Sequence, residues 1–189
     1  MTRAGHICPA RRPVAFLCQK YIILRKDVEM RVILFGLEAL VGICVLAALG
    51  FAVWVRIAPT DPAQWHVDPL TVSAPSFSGY YLMRPEGGQS TGPVFDMSPA
   101  ELLAAFDRIA LNTPHVERIA GSVDDGFVTY VARSDLWRFP DYISVRTVPA
   151  EDSGARLAVY SRLRFGSSDM GANRARLEDW IGQIRSAGA

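Results

Sequence analysis

The sequence predicts an α+β domain, an antiparallel sheet of four to five strands with two amphipathic helices on one face, preceded by one transmembrane helix. Three observations predict it. One long apolar run lies in the first third of the 189-residue chain. After it, two stretches repeat apolar residues at helical spacing, and five runs have strand-like composition or alternation. The resulting order of strand, helix, four strands and helix is typical of an antiparallel sheet covered by helices.

The apolar run begins at Val32, ends at Val55 and contains one ionisable residue, Glu38. At the helical rise its 24 residues extend roughly 36 Å, enough to cross a hydrocarbon core of about 30 Å. A cleaved signal peptide is the alternative, but its apolar region is usually only about 7–15 residues long. We therefore predict an uncleaved membrane-spanning helix over residues 32–55.

The charges on the two sides of this run are unequal. Seven basic residues precede it, and only Arg56 closely follows it. Basic residues favour the cytoplasmic side, so residues 1–31 are predicted to be a cytoplasmic tail and the C-terminal domain to lie in the periplasm. If translation begins at Met30, most of that tail is an artefact of the chosen start and the orientation argument weakens.

Residues 56–97 are predicted to be a Pro/Gly-rich connector with one edge strand. Proline removes a backbone donor and fixes φ, so no long helix is expected there. Residues 78–84 form the expected edge strand, which ends at Pro85. Trp65 is expected either at the membrane interface or on the domain. The six prolines of this segment are Pro59, Pro62, Pro69, Pro75, Pro85 and Pro93.

Residues 98–189 are predicted to form the exported domain. Ser98 and Glu101 match a capping box around a proline, which predicts a helix over residues 99–111. A second amphipathic helix is predicted over residues 170–185, with Ser168 or Asp169 as its N-cap. The four strands between them are predicted at residues 116–123, 127–133, 142–148 and 155–165.

Alternation along the last strand separates two faces. Leu157 and Val159 point to the expected core, and Arg162 and Arg164 emerge on a face expected to be solvated. The following helix begins nearby, and free N–H groups at a helix N-terminus attract anions. The candidate anion- or ligand-binding site therefore consists of Arg162, Arg164, Asp169, Asn173, Arg174 and Arg176. The alternative is that Asp169 only caps the helix and the arginines meet carboxylates or water.

Two blocks in the second half of the chain carry a family resemblance. They are LWRFPD at residues 136–141 and SRLRFGSSDMGANRAR at residues 161–176, in which the pattern SR-x-R-x-G-x-SD-x-G-x-N-x-x-R is the most specific. Over residues 102–184 the chain resembles the domain-of-unknown-function family 1499 of bacteria and plant plastids. The resemblance implies kinship with proteins that often carry membrane segments. It implies no reaction, because no activity is established for that family.

Composition and motif content limit the classes of partner and site that the sequence supports. The net charge of +1 argues against a nucleic-acid partner. No cysteine follows Cys44, and no metal-ligand spacing, phosphate loop or nucleophile motif is found, so no metal or cofactor is predicted. The row Cys44, Ala48 and Ala52 permits a homodimer through the transmembrane helix.

Two hypotheses for function remain open. The first is a non-catalytic binding or assembly module of the cell envelope, with a protein or lipid partner. The second is a hydrolase or transferase that uses the Arg/Asp/Asn cluster on an anionic envelope substrate. A groove in which those side chains converge would favour the enzyme, and a flat solvated face would favour the binding module.

Overall fold

The structure is a computed structural model that describes residues 13–150 and 154–187, with side chains from Gln19 onward except that of Ile23. The first twelve residues of the predicted tail lie outside this part. The chain divides into two compact units, one ending at Phe51 and the other beginning at Ala52.

Helix α1 (Pro13–Ile57) supplies the described part of the first unit. Its portion Gln19–Ile57 is long and apolar enough to cross a membrane, with a mean hydropathy of 2.6 over its most apolar window. None of that window is buried. The predicted span over residues 32–55 lies within this helix, which extends further because no proline interrupts the chain between Pro13 and Pro59.

The second unit contains a six-stranded, wholly antiparallel sheet with the strand order β1-β6-β5-β4-β3, and β2 also pairs with β6. Its strands are β1 (Tyr80–Met83), β2 (Val94–Phe95), β3 (Val116–Ser122), β4 (Phe127–Arg133), β5 (Pro140–Pro149) and β6 (Ala155–Leu163). Its helices are α2 (Pro62–Trp65), α3 (Pro99–Asn112) and α4 (Ala172–Ala187). The predicted α+β class is confirmed, with the two-residue β2 and the short α2 as additions.

Helices α3 and α4 cover one face of the sheet, as predicted. Trp180 of α4 and Phe106 of α3 meet edge to face, with ring centres 5.3 Å apart, in one buried cluster with the inward side chains of β4, β5 and β6. The predicted capping box opens α3, because Glu101 N–H donates to Ser98 Oγ and Ser98 N–H donates to Glu101 Oε2. Helices α3 and α4 therefore form where the apolar periodicity and the capping residues predicted them.

The opposite face of the sheet is covered by residues 59–72, which we call the strap. The Trp65 ring stacks on Tyr142 with ring centres 3.8 Å apart, and the His66 ring stacks on Phe127 at the same separation. The predicted connector therefore lies against the domain, which is the second of the two positions expected for Trp65.

Hydrogen bonds also fasten the strap to the sheet. His66 Nδ1 lies 2.8 Å from Thr129 Oγ1, and the Thr129 hydroxyl donates to Ser144 Oγ at 3.0 Å. The Ser144 hydroxyl donates to the carbonyl oxygen of Trp65 at 3.2 Å. The side chains of His66, Thr129 and Ser144 thus have partners, as buried polar groups require. The buried indole Nε1 of Trp65 has no hydrogen-bond partner among the described residues.

Strand β6 is consequently buried on both faces. The expectation that Arg162 lies on a solvated face is wrong, because its side chain is 5% exposed. Tyr160 on the same face is also buried, and Arg164 is half-buried. Period-two alternation identified the two faces correctly, but it cannot indicate that a distant segment covers the second one.

The two edges of the sheet are closed in different ways. On β3 the register shifts between Arg118 and Ala120, and Glu117 and Arg118 are exposed. On β1 the chain turns back, so that Leu82 N–H donates to Gln89 Oε1 and Gln89 N–H donates to the Leu82 carbonyl. Bulges, charges and covering loops are the usual protections of a sheet edge.

Candidate functional site

The six predicted site residues lie on two sides of the sheet. Alternation along β6 directs Ser161 toward α4 and Arg162 toward the strap. Arg164 lies on the strap side as well, because it donates to the Pro59 carbonyl. The other four residues precede or belong to α4. The structure therefore does not bring the six side chains into one site.

Asp169 caps helix α4. Its Oδ1 accepts from Gly171 N–H at 3.1 Å, and its Oδ2 accepts from Asn173 N–H at 2.9 Å. Burial by itself would raise the pKa of Asp169, but these backbone hydrogen bonds outweigh burial and hold the pKa below its usual value. Asp169 was one of the two N-caps predicted from the sequence.

Asn173 and Arg176 form a polar link between α4 and the sheet. Asn173 is fully buried, and its Oδ1 accepts from Ser161 Oγ at 2.5 Å and from Arg176 Nη1 at 3.0 Å. Arg176 Nη2 donates to Asp141 Oδ2 at 3.1 Å. Burial raises the pKa of Asp141, and the neighbouring guanidinium opposes that rise. Both predicted site residues are thus engaged within the fold.

Arg174 faces away from this link. Its Nε donates to Glu178 Oε1 at 2.7 Å, one helical turn along α4. It also borders a cleft of about 290 Å³ whose lining includes Asp169 and Tyr80. Because Arg174 is paired and Asp169 is acidic and engaged as a cap, the described lining of this cleft offers no free cation to an anionic ligand.

Arg162 differs from the other arginines of the candidate site in its surroundings. Its Nη2 donates to the Trp65 carbonyl oxygen at 2.6 Å, and its Nη1 lies 3.4 Å from both Ser144 Oγ and the Tyr160 carbonyl oxygen. The guanidinium carbon is 5.2 Å from the centre of the Trp65 ring and 4.3 Å from that of Tyr160. Strap and strand therefore enclose this cation between two aromatic rings.

The charge of Arg162 has no counter-charge among the described residues. Its acceptors are a hydroxyl and two carbonyls, and it takes part in none of the ion pairs of residues 13–150 and 154–187. Burial lowers the pKa of the guanidinium to about 10, so the side chain remains a cation at neutral pH. A buried and uncompensated positive charge therefore lies under the strap.

Arg164 lies one pleat further along β6. Its Nη1 donates to the Pro59 carbonyl oxygen at 3.0 Å and to the Tyr142 hydroxyl at 3.2 Å. Its guanidinium carbon is 5.1 Å from the centre of the Phe165 ring. Like Arg162, it meets neutral oxygens and an aromatic ring, and it forms no ion pair with a described carboxylate.

Both arginines line a cavity of about 360 Å³ at the edge of the strap. No carboxylate belongs to its described lining, which is Trp65, Phe77, Tyr160, Arg162, Leu163, Arg164 and Gly166. We call this cavity the arginine pocket. Its walls combine two cations with aromatic rings, a composition that suits an anionic group carried on an apolar or ring-shaped body.

Sequence reasoning identified the two arginines of the pocket but not its aromatic walls. Trp65 precedes Arg162 by 97 residues, and Phe77 lies in the proline-rich segment without a strand or helix period. Tyr160 lies on the same face of β6 as the two arginines, but alternation alone does not indicate that it belongs to a site. The only available signal was the Trp65-His66 aromatic-polar cluster, which has no regular spacing.

A metal centre or catalytic group has little geometric support in the described part of the chain. No group of three or more His, Cys, Asp or Glu side chains there could hold a metal ion. His66 is stacked under the strap, and its pKa is lowered by burial. His115 is exposed on the turn between α3 and β3 and lies 3.8 Å from Asp135.

A comparison with family models identifies the chain. Residues 64–184 match the model of a family described as a protein of unknown function, DUF1499. Because the match covers more than half of the chain, the protein belongs to that family. The match begins at Gln64, so most of the strap and both walls of the arginine pocket lie inside the family domain. A search of curated proteins found no match.

Proposed function

We propose that this protein is a membrane-anchored, non-catalytic binding module of the cell envelope that holds an anionic group in the arginine pocket. One observation carries the proposal, namely the buried guanidinium of Arg162 beside a cavity whose described lining contains no carboxylate. Carboxylate and phosphate groups are the chemical classes that two neighbouring guanidiniums recognise best.

Energetics support a ligand for this charge. Removing an ion from water costs several kcal/mol even after relaxation, and hydrogen bonds to neutral oxygens offset only part of that cost. A hydrophobic side chain of similar volume at position 162 would serve stability at least as well. A cation at this position is therefore better explained by an anion that supplies the missing counter-charge.

The membrane anchor in this proposal is α1. Its apolar portion is long enough to span a bilayer, and its last turn, with the buried Val55, belongs to the same compact unit as the sheet. The excess of basic residues before the span supports an exported domain in the periplasm. Dimerisation through Cys44, Ala48 and Ala52 stays a prediction.

The enzyme hypothesis receives less support from the geometry. The Arg/Asp/Asn cluster does not converge on a groove, because α4 and the strap occupy opposite faces of the sheet. Asp169, Asn173 and Arg176 are engaged in a cap and a buried link. No described group near the arginine pocket is placed to act as a general base.

Inorganic phosphate is expected to stabilise the full chain through the arginine pocket. A ligand that binds only the folded state raises stability by about 2.7 kcal/mol at 100 times its Kd. The measurement is the melting midpoint of the full chain in micelles of an uncharged detergent, in phosphate or in sodium chloride of equal ionic strength. The midpoint of the parent should rise more in phosphate than that of Arg164→Gln.

The control for this experiment is Arg174→Gln, which removes an arginine that is paired with Glu178 on α4. Phosphate also stabilises proteins through exclusion from their surfaces, but that effect should act equally on all three chains. A second arm uses nanodiscs of phosphatidylcholine with and without phosphatidylglycerol, to separate a lipid headgroup from a free anion. Equal shifts in parent and Arg164→Gln in both arms would overturn the anion site.

The orientation of the domain is tested with reporter fusions. A reporter that is active only after export, fused after Ala189, is expected to be active, because seven basic residues precede the span and one closely follows it. The control is a reporter active only in the cytoplasm, fused at the same position, which should be inactive. An inactive but well-produced export reporter would contradict the proposed orientation.

A further inference from the structure

The loop between β4 and β5 exposes two large apolar side chains. Leu136 is 73% exposed and Trp137 is 51% exposed. The loop is nevertheless a closed turn, since Ser134 N–H donates to the Phe139 carbonyl at 3.0 Å and Arg138 N–H donates to the Ser134 carbonyl at 3.0 Å. The two side chains are thus held outward by a defined backbone.

This loop lies beside the last turn of α1. Arg56 Nη2 donates to the Leu136 carbonyl oxygen at 3.2 Å, and Arg56 Nη1 donates to the Ala52 carbonyl oxygen at 2.9 Å. The ring centres of Trp54 and Phe165 are 5.1 Å apart. Arg56 directly follows the apolar run, so in a membrane-spanning α1 it marks the bilayer surface.

The two ends of the sheet carry different kinds of exposed side chain. The connection between β6 and α4, at the same end as this loop, carries Met170, which is 96% exposed. At the opposite end the β3–β4 turn carries Asp124 and Asp125, which are exposed. The loop end also carries one exposed carboxylate, Asp135, which lies 3.8 Å from His115. Three large exposed apolar side chains at this end and two carboxylates on the opposite turn match a domain that stands on a bilayer through its apolar end.

A protein partner fits the loop less well. A stable protein interface buries about 800 Å² on each partner, and two side chains on one turn supply only a small part of that area. Tryptophan and leucine next to an arginine are instead typical of the membrane–water interface, where the rings and aliphatic chains enter the acyl boundary.

We infer that Leu136 and Trp137 insert into the interfacial layer of the bilayer that α1 crosses, and that Arg56 and Arg138 lie at the level of its headgroups. The inference rests on the proposed membrane anchor, and it adds a second point of contact between the domain and the lipid. The domain is then fixed on the membrane at two places, the end of α1 and the tip of the β4–β5 loop.

The test uses the full chain in proteoliposomes, with the substitutions Cys8→Ser, Cys18→Ser and Cys44→Ala. Leu136→Cys provides one labelling position for an environment-sensitive fluorophore, and Asp124→Cys provides the matched control at the opposite end of the sheet. Lipids that carry a quenching nitroxide on the acyl chain are then added. The label at position 136 should be quenched several-fold more strongly than the label at position 124 and should emit at shorter wavelength.

Extraction with alkaline carbonate separates this inference from the anchor on which it rests. If the chain stays in the membrane but both labels are quenched equally weakly, the loop contact is overturned and the anchor stands. If carbonate releases the chain, the anchor itself is overturned, and the loop contact with it. Equal melting midpoints of the two labelled chains show that neither substitution has changed the fold.

Discussion

Replacing Trp180 with alanine is expected to unfold the sheet domain or bring it close to unfolding. Trp180 is buried and meets the Phe106 ring edge to face in the core between α4, α3 and the sheet. Truncating a buried aromatic side chain costs about 3–5 kcal/mol, a large fraction of the 5–15 kcal/mol that typically stabilises a domain. The melting midpoint, followed by near-ultraviolet circular dichroism of the full chain in detergent, should fall by roughly 10–20 °C.

The matched control is Trp137→Ala, which truncates an exposed tryptophan. Its midpoint should stay within a few degrees of the parent, because surface substitutions usually change stability by about 0.5 kcal/mol or less. A Trp180→Ala chain that melts with the parent would show that α4 does not pack on the sheet as described.

Replacing Tyr142 with alanine is expected to cost about as much, although this residue lies on the other face of the sheet. Tyr142 is fully buried under the strap and stacks on Trp65 with ring centres 3.8 Å apart. Its loss leaves a cavity in a second core, for which about 3–5 kcal/mol is expected. Limited proteolysis should also cut the strap more readily, since its main aromatic contact is gone.

The control for this prediction is Tyr142→Phe, which keeps the ring and removes the hydroxyl contacts with Thr60 Oγ1 and Arg164 Nη1. Losing such hydrogen bonds costs about 0.5–1.5 kcal/mol each. Tyr142→Phe should therefore lie between the parent and Tyr142→Ala in urea-unfolding experiments. A Tyr142→Ala chain as stable as the parent would show that the strap contributes little to the fold.

The elements that the sequence predicted correctly are those whose signals come from residues close together in the chain. The capping box of Ser98 and Glu101 is satisfied within one helical turn, and the Asp169 cap of α4 accepts from N–H groups two and four residues further along the chain. Alternation along β6 placed Leu157 and Val159 in the core. Each of these signals involves residues a few positions apart, so it can be recognised in a single amino-acid sequence.

The strap could not be predicted in the same way. It has no period, its helix α2 is four residues long, and it is held by contacts between residues far apart in the chain, such as Trp65 and Tyr142. For the same reason the candidate site was only partly identified. Arg162 and Arg164 do share a cavity, but the pleat of β6 separates them from Asp169 and Asn173, and the aromatic walls come from the distant strap.

The closed edges of the sheet affect how neighbouring copies of such a domain can associate when they are crowded in one membrane. Proteins confined to one membrane meet each other in similar orientations and at high local concentration, which favours strand-to-strand polymerisation wherever a sheet edge is open. Here Gln89 occupies the backbone groups of Leu82 on one edge, and the bulge near Arg118 breaks the ladder on the other. Both edges are therefore poor templates for a strand of another copy, so crowding in the membrane that we propose for this protein would not favour fibres.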